Sequence, residues 1–309
     1  MIDKRSVIKT IRGSFSYKRK TMLWFPLSLL SAFSLATADA LTKRFFGNLS
    51  PYEMGTIRLI YTMPWLIGSI FFIPLVKPDN IYFLSLAVGL PLEILALYLY
   101  MKAIKVSPLS LTLPFLAFTP AFIILTGRLL LGEKLGLWGT LGIFLIVLGS
   151  YCLNLSHIGS GFFAPLKAIV RERGSMMMLL VSFIFSITSV IGKLGILHSN
   201  PYFFGITYFI ALTILMSAFT PFVKKFFTSS LIISPFKGMI LGLTHAIMIF
   251  SHVLAISQVQ AAYMVSIKRT SLLFAVLYGA YWFKEEKIRE RLLGTIIMIT
   301  GVLCIGWFQ

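Results

Sequence analysis

The chain contains long, almost uninterrupted runs of apolar residues. Ten of these runs recur along its 309 residues, and each has roughly the 20 residues that a helix needs to cross the hydrocarbon core of a bilayer. Because lipid cannot satisfy backbone polar groups and a helix satisfies its own, each run predicts a membrane-spanning helix. We therefore expect an all-α integral membrane protein with ten transmembrane helices, placed near 23–42, 53–76, 81–101, 107–131, 135–155, 175–196, 202–222, 236–256, 260–283 and 288–308.

The composition agrees with this class and argues against another one. Charged residues make up 12% of the chain, about half the share that is typical of soluble domains. The net charge of +18 comes from cations that lie mostly in the termini and short loops. Because these cations are not interleaved with aromatic residues, they fit the surface of a membrane better than a nucleic acid. We expect the lipid bilayer as a partner and no nucleic acid.

The second half of the chain repeats the first. Residues 31–55 align with 181–205 at an offset of 150, and residues 129–153 align with 281–305 at an offset of 152. Each half holds five predicted spans, and an odd number makes the second copy enter the membrane in the opposite sense. The sequence thus predicts two inverted five-helix repeats, divided into a basic tail at 1–22, a first repeat at 23–156, an interfacial linker at 157–174 and a second repeat at 175–309.

The start of the chain leaves two questions open. Residues 18–20 are basic and precede an apolar run, and Ala38 and Ala40 imitate a signal-peptide cleavage site. The repeat partner of that run is internal, so we interpret 23–42 as a retained helix. The tail carries seven cations and one acid over 1–20. Because cations are enriched on the cytoplasmic side of membrane proteins, this favours a cytoplasmic start, but that orientation places most of the loop cations on the outer side. The charge pattern alone leaves the orientation open.

The ends of the two halves carry a family resemblance. In each half a glutamate, Glu133 or Glu285, precedes a glycine-containing helix, and Pro120 lies in the fourth span. With the two-times-five layout, residues 22–309 resemble the EamA-type members of the drug/metabolite transporter superfamily. The resemblance implies cytoplasmic termini, a central cavity lined largely by helices 3, 4, 8 and 9, and transport of metabolites or drugs. The chain departs from it at Leu272, where the second copy lacks the proline.

Lys268 and Arg269 are the strongest candidates for a binding site. They lie well inside the ninth span, where each charge costs about 2.5–3.5 kcal/mol on insertion scales. Either they anchor an anionic group of a substrate, or an internal acid pairs with them. A Lys-Arg pair at this place also resembles that of the plastid phosphate translocators, but the fourth-span lysine of those proteins is missing here. A carboxylate substrate therefore stays open.

Other polar residues inside the spans suggest partners for this pair. Glu93 follows Pro91 in the third span and aligns with His245; it could carry a coupling proton, pair with an amine, or neutralise Lys268 or Arg269. His245 and His252 are seven residues apart, hence on one helical face. They suit a proton relay, substrate hydrogen bonding or packing, while metal binding would need further ligands.

The remaining candidates have weaker arguments. Asp39 and Arg58 lie in the first two spans and could form an ion pair that acts as a latch or gate. Four further residues could line the cavity or serve only in packing: Tyr98, Tyr208, Tyr263 and Ser266. The fourth span is broken up by Thr112, Pro114, Thr119 and Pro120, which suits a flexible cavity wall. No nucleotide-binding, zinc-protease or serine-hydrolase motif occurs in the sequence. We therefore predict no enzyme activity, no cofactor and no metal.

Together these features predict a secondary active transporter of the cell membrane. It would move a small metabolite (an amino acid, an organic anion or a drug-like compound) by alternating access, with protons or a counter-substrate as the coupled species. Two other classes stay open: a membrane-embedded enzyme, and a non-transporting scaffold or sensor. The oligomeric state is also open, with a homodimer as one option.

Overall fold

The computed structural model describes residues 23–74, 76–132, 136–152, 172–218, 234–286 and 288–307. Within these residues the chain forms ten membrane-crossing segments, five in each half. We number them α1 to α10 and divide the fourth and ninth, which are interrupted, into parts a and b. The first half contains α1 (Trp24–Phe46), α2 (Pro51–Ile70), α3 (Asn80–Val106), α4a (Leu109–Thr112), a 3-10 turn (Leu113–Ala117), α4b (Phe118–Leu131) and α5 (Leu137–Cys152).

The second half follows the same order with the opposite direction through the membrane. It contains α6 (Arg173–Leu197), α7 (Pro201–Ala218), α8 (Pro235–Ile256), α9a (Ala261–Lys268), α9b (Ser271–Phe283) and α10 (Ile288–Trp307). We call the side on which α1 begins and α10 ends the terminal side. The opposite side, where α5 ends and α6 begins, is the connector side.

Side-chain caps fix where several helices begin. Ser50 and Glu53 form a reciprocal capping box at the start of α2, which satisfies two backbone donors that the first turn leaves open. Asp79 accepts from the backbone amides of Ile81 and Tyr82 at the start of α3. Glu172 does the same for Gly174 and Ser175 at the start of α6.

The fourth and ninth segments are broken near the middle of the molecule. In the fourth, Pro114 lies at the start of the 3-10 turn, where its missing N–H removes a helical hydrogen bond. In the ninth, helix α9a ends at Lys268, and the backbone amides of Arg269 and Thr270 then bond to residues three positions earlier. The sequence predicted the first break through its prolines, but the second break has no proline and was not predicted.

The two halves interlock rather than lie side by side. Helix α3 of the first half packs along α6 of the second, and α1 packs along α8, which is the equivalent pairing with the halves exchanged. In the same way, α8 contacts α2 and α7 contacts α3. A set of contacts that survives exchange of the halves is what a two-fold axis between inverted repeats produces.

The pair formed by α5 and α10 shows the same symmetry at the level of single atoms. A Cβ atom on Gly149 would collide with the carbonyl oxygen of Gly294, and a Cβ atom on Gly301 would collide with that of Gly142. These four glycines are two pairs of repeat equivalents. Their missing side chains allow the two helix backbones to touch, as small residues do between membrane helices.

Six of the described segments are long and apolar enough by themselves to cross a membrane: Trp24–Phe46, Asn80–Val106, Leu109–Leu129, Arg173–Leu197, Pro201–Ala218 and Pro235–Ile256. The predicted all-α fold with two inverted five-helix repeats is confirmed. Helix α6 begins at Arg173, inside the predicted linker, because Glu172 caps it there. The predicted basic tail at 1–22 and most of that linker lie outside the described residues.

Candidate functional site

A cavity lies between the two halves, near the middle of the segments. Its volume of about 150 Å³ is room for about five water molecules. Seven segments contribute to its wall, with these residues: Leu35, Arg58, Leu59, Glu93, Leu97, Tyr100, Phe185, Thr188, Ser189, Gly192, Lys193, Ile196, Phe204, Tyr208, Phe209, Leu212, His245, Met248, Ile249, His252, Val253, Ile256, Val265, Lys268 and Arg269.

The cavity extends further toward the terminal side than toward the connector side. Ile196 and Ile256 line it, and they lie in the last turns of α6 and α8 at the terminal side. At the connector side, Arg58 lies seven residues after the start of α2, and Tyr100 lies six residues before the end of α3. The site is therefore displaced toward the side of the chain termini.

Lys268 ends α9a at the wall of the cavity. Its Nζ lies 3.1 Å from Nδ1 of His252 and 3.3 Å from the sulfur of Met248. Among the described residues, no carboxylate oxygen lies within 4 Å of this ammonium group. Since an ammonium group only donates, its bond to His252 makes that imidazole the neutral tautomer with its proton on Nε2. Lys268 thus meets only neutral acceptors.

Arg269 lies next to Lys268 but is held more firmly. It is buried, and its Nη2 donates to the hydroxyl of Thr119 in α4b over 2.8 Å. Its Nε has no hydrogen-bond partner among the described residues. Arg269 therefore joins the two broken segments, while Lys268 presents its charge to the cavity.

Glu93 enters the same cavity from α3. It is half-buried, its carboxyl group lies beside the hydroxyl of Thr188, and it interacts electrostatically with Lys268. No ion pair within 4 Å joins Glu93 to Lys268 or Arg269 in the described part of the chain. The alternative in which Glu93 neutralises one of these cations would thus act over a longer distance, and it remains a prediction.

The two histidines have different surroundings. His245 is buried, its Nδ1 lies 3.0 Å from the hydroxyl of Thr62, and its ring stands edge-on to Phe209. His252 is half-buried and bonds to Lys268. Both line the cavity. No cluster of potential metal ligands occurs among the described residues.

Asp39 and Arg58 form the predicted ion pair. The distance from Arg58 Nη1 to Asp39 Oδ1 is 2.8 Å, and the other carboxylate oxygen accepts from the hydroxyl of Tyr100 over 2.5 Å. Both charged side chains are almost completely buried, with 4% and 2% exposure. Arg58 lines the cavity and Asp39 lies behind it. The predicted role of this pair as a latch or gate remains a prediction.

Three of the predicted site residues do not line the cavity. Tyr98 is 38% exposed, and the ammonium group of Lys102 lies over its ring. The hydroxyl of Tyr263 accepts from the backbone amide of Gly136 over 3.2 Å, and so packs α9a against the start of α5. The hydroxyl of Ser266 donates to the carbonyl of Ala262 one turn earlier, which satisfies it within its own helix.

Comparison with known proteins shows which fold and which family this architecture resembles. A solved structure, titled as the crystal structure of a protein, superposes with a TM-score of 0.68 at 16% identity, covering 95% of this chain and 100% of that one. Similarity at this identity concerns the fold. No match was found among curated proteins. The sequence model described as the EamA-like transporter family matches twice, over residues 22–155 and 172–307. The chain belongs to the EamA-like transporter family.

As an EamA-like protein, this chain is a multi-pass membrane transporter of small solutes. Its cavity differs from the one that the resemblance implied. Helices α6 and α7 supply much of the wall, and none of the described lining residues comes from the fourth segment. The reason is the interlocked packing, which places α6 directly beside α3.

Several side chains of the EamA-like site were missed by the sequence reasoning. Thr188 faces Glu93, Met248 contacts Lys268, and Thr119 holds Arg269. These residues are common inside membrane helices and give no signal of their own. Lys193, which we would expect at a membrane surface, is 3% exposed, donates to the carbonyl of Val259 over 2.8 Å and lines the cavity. Its burial could not be foreseen from its place near the end of a span.

The connector side of the EamA-like fold is held together by Glu285. Its carboxylate accepts from the backbone amides of Leu109 and Ser110 at 2.9 and 3.1 Å, and also from the Ser110 hydroxyl. Arg291 donates to it over 3.2 Å. A residue of the second half thus caps the broken segment of the first half.

Proposed function

We propose that this protein is a secondary active transporter that moves a small metabolite across the cell membrane by alternating access. The substrate would be an amino acid, an organic anion or a drug-like compound, and its anionic part would bind at Lys268. Arg269 would support that contact from behind, and Glu93 and His245 would act as proton or amine partners. Protons or a counter-substrate would provide the driving force.

The observation that carries this proposal is the environment of Lys268. Its ammonium group faces a cavity between the two halves, where its hydrogen-bond partners among the described residues are His252 and Met248. Lys268 is half-buried, and a charge that leaves water without an opposite charge in direct contact carries a desolvation cost. An anion that enters the cavity would remove much of this cost. The break in the helix at Lys268 adds support, because interrupted helices form the substrate sites of many transporters.

Two lysines at equivalent positions of the two repeats support transport by alternating access. Lys43, near the connector end of α1, donates to the carbonyl of Ser107 just before α4a, over 2.7 Å. Lys193, near the terminal end of α6, donates to the carbonyl of Val259 just before α9a. The same contact thus occurs at both sides of the molecule, but only Lys193 lines the cavity. Inverted repeats would exchange these two environments during a transport cycle.

The rival classes have less support. A membrane-embedded enzyme would require a group of catalytic side chains at the membrane surface, whereas the charged residues of this site lie around a central cavity. A scaffold or sensor would suit a dry network in which Lys268, Arg269 and Glu93 pair directly. These three residues form no such ion pairs in the described part of the chain.

The test is exchange of labelled aromatic probes in proteoliposomes. Benzenesulfonate, benzenesulfonamide and benzyltrimethylammonium share an aromatic body and carry a permanent negative charge, no charge and a permanent positive charge. Lys268→Met should raise the benzenesulfonate concentration that half-saturates exchange by about 10- to 100-fold, which is the loss expected for one charge-assisted hydrogen bond. Lys268→Arg keeps a positive charge and should restore part of the affinity. Lys102→Met removes a lysine on the outer face of α3 and should change nothing. Full benzenesulfonate transport by Lys268→Met would refute the role of Lys268.

A further inference from the structure

The wall of the cavity separates into an apolar part and a charged part. Helix α7 contributes Phe204, Tyr208, Phe209 and Leu212, all of which are aromatic or aliphatic in the part that packs. On the α9 side, Lys268 and Arg269 present positive charge. A ligand that matches both parts has one anionic group and an apolar, preferably aromatic, body.

Glu93 conflicts with such a ligand as long as it is ionised. It is the one acid among the described lining residues, and it interacts electrostatically with Lys268. An anion bound at Lys268 would therefore lie in the same low-dielectric cavity as a second negative charge. The repulsion between like charges is strong in such surroundings. It disappears when Glu93 takes up a proton, and the proton then remains beside Thr188.

We propose that the site binds an amphipathic anion together with one proton, the anion at Lys268 and the proton on Glu93, so that the two move in the same direction. This inference rests on the proposed transport function and adds its coupling. The balance is simple: the carboxylate of Glu93 and one proton give the neutral acid on loading, and the reverse occurs on release. One anion and one proton cross per cycle, so no net charge is moved by the substrate and the coupled ion together.

The other charged groups around the cavity have contacts that make them poorer proton carriers. Arg58 is paired with Asp39, and Arg269 is bound to Thr119. His245 and His252 each use Nδ1 in a bond to Thr62 and Lys268, respectively. Tyr208 packs against Phe204, and Lys193 donates to a backbone carbonyl. The titratable and charged groups that line the cavity with Glu93 from other elements are Arg58 of α2, Lys193 of α6, Tyr208 of α7, His245 and His252 of α8, and Lys268 and Arg269 of α9.

The experiment is proton-driven uptake of benzenesulfonate by proteoliposomes that contain the full chain. Benzenesulfonate keeps its charge at every pH used, so a pH gradient cannot accumulate it by passive permeation. With a gradient that directs protons inward, the wild-type protein should concentrate the probe inside, whereas without the gradient it should only equilibrate it. Glu93→Gln should lose accumulation, and whatever exchange of labelled for unlabelled benzenesulfonate remains should no longer depend on pH. Glu53→Gln, which changes a helix-capping carboxylate outside the cavity, should behave like the wild type.

The other outcomes separate the failure of this inference from the failure of transport. If the wild type exchanges benzenesulfonate but never accumulates it with a proton gradient, the proton coupling is refuted and the transport function stands. Accumulation by Glu93→Gln equal to that of the wild type refutes Glu93 as the carrier. If only benzyltrimethylammonium is transported, the anionic substrate class is refuted. Binding of benzenesulfonate without any transport refutes the proposed function itself.

Discussion

Two cations that line the cavity, Arg58 and Lys268, are stabilised in different ways. Arg58 has a carboxylate partner in Asp39, and Tyr100 completes the hydrogen bonding of that carboxylate. In the part of the chain that the structure describes, the ammonium group of Lys268 contacts only a neutral imidazole and a thioether sulfur. The first arrangement pairs the two charges directly and serves the fold. The second arrangement lacks an anion, which is why we assign the substrate to Lys268 and not to Arg58.

Asp39→Asn is expected to destabilise the protein strongly. It removes the negative charge and leaves the Arg58 guanidinium buried without an opposite charge, a change that costs about 3–5 kcal/mol. The double variant Asp39→Leu/Arg58→Met removes both charges and should be more stable than Asp39→Asn. Unfolding in mixed detergent micelles measures both free energies. A stability of Asp39→Asn equal to that of the wild type would contradict a structural role for this pair.

At the scale of residues, the charged members of the site could be predicted from the sequence, and their neutral neighbours could not. Asp39, Arg58, Glu93 and Lys268 stand out because charges are costly inside apolar spans, and that cost is independent of the fold. Their neighbours do not stand out, since which threonine or methionine lies opposite depends on how each helix is rotated. Tyr98 shows the same limit: a helix that is apolar on every side gives no pattern that separates its lipid face from its cavity face.

The breaks in the fourth and ninth segments are the main feature of the fold at the scale of helices. Each creates helix ends inside the protein, and their backbone groups need partners. At the break itself, α4a continues directly into the 3-10 turn, and its outer end, at Leu109 and Ser110, is capped by Glu285 of the second half. The prolines of the fourth span allowed its break to be predicted. The break in α9 depends on packing against its neighbours, since no proline or glycine occurs between Ala261 and Ser271.

Glu285→Gln is expected to lower the free energy of unfolding by about 1–2 kcal/mol, near the upper range for helix caps. A neutral amide offers one acceptor oxygen in place of two and loses the ion pair with Arg291. Glu53→Gln is the matched control, because glutamine at this position of a capping box can still accept the same bond. Thermal unfolding in detergent compares the two variants. Equal stability for both would show that Glu285 does not hold α4a.

Glu172 makes one connector-side contact dependent on pH. Burial raises the pKa of its carboxyl group, but hydrogen bonds from Ser107, Ser175 and Gly174 outweigh this effect and bring the pKa below its usual value of 4.5. A lowered pKa in the folded state means that the stabilisation is complete above pH 4.5 and is lost as the pH falls through the lowered value. The melting temperatures of wild type and Glu172→Gln should therefore differ at pH 7 and converge as the pH falls below 4.5 and through the lowered pKa. A constant difference down to pH 3 would contradict this.

The inverted symmetry of the whole molecule could be predicted from the sequence, but the way in which the two halves pack together could not. The duplication predicted five helices in each half and opposite directions through the membrane. It did not predict that the halves interlock, with α3 on α6 and α1 on α8. That arrangement arises because each half has helices that are apolar all round and cannot bury their small residues alone. The glycines of α5 and α10, which match between the halves, now have a physical reason in the contact of the two backbones.

The symmetry makes a prediction for two equivalent positions. Asn48 follows α1 on the connector side, and His198, its equivalent at the offset of 150, follows α6 on the terminal side. In a background with Cys152→Ser and Cys304→Ser, single cysteines at 48 and 198 should therefore react with a membrane-impermeant thiol reagent from opposite sides. If the termini are cytoplasmic, as the family resemblance implies, Asn48→Cys reacts in intact cells and His198→Cys only after permeabilisation. The reverse pattern would show the opposite orientation in the membrane and would still agree with inverted repeats. Reaction of both cysteines from the same side would contradict inverted repeats.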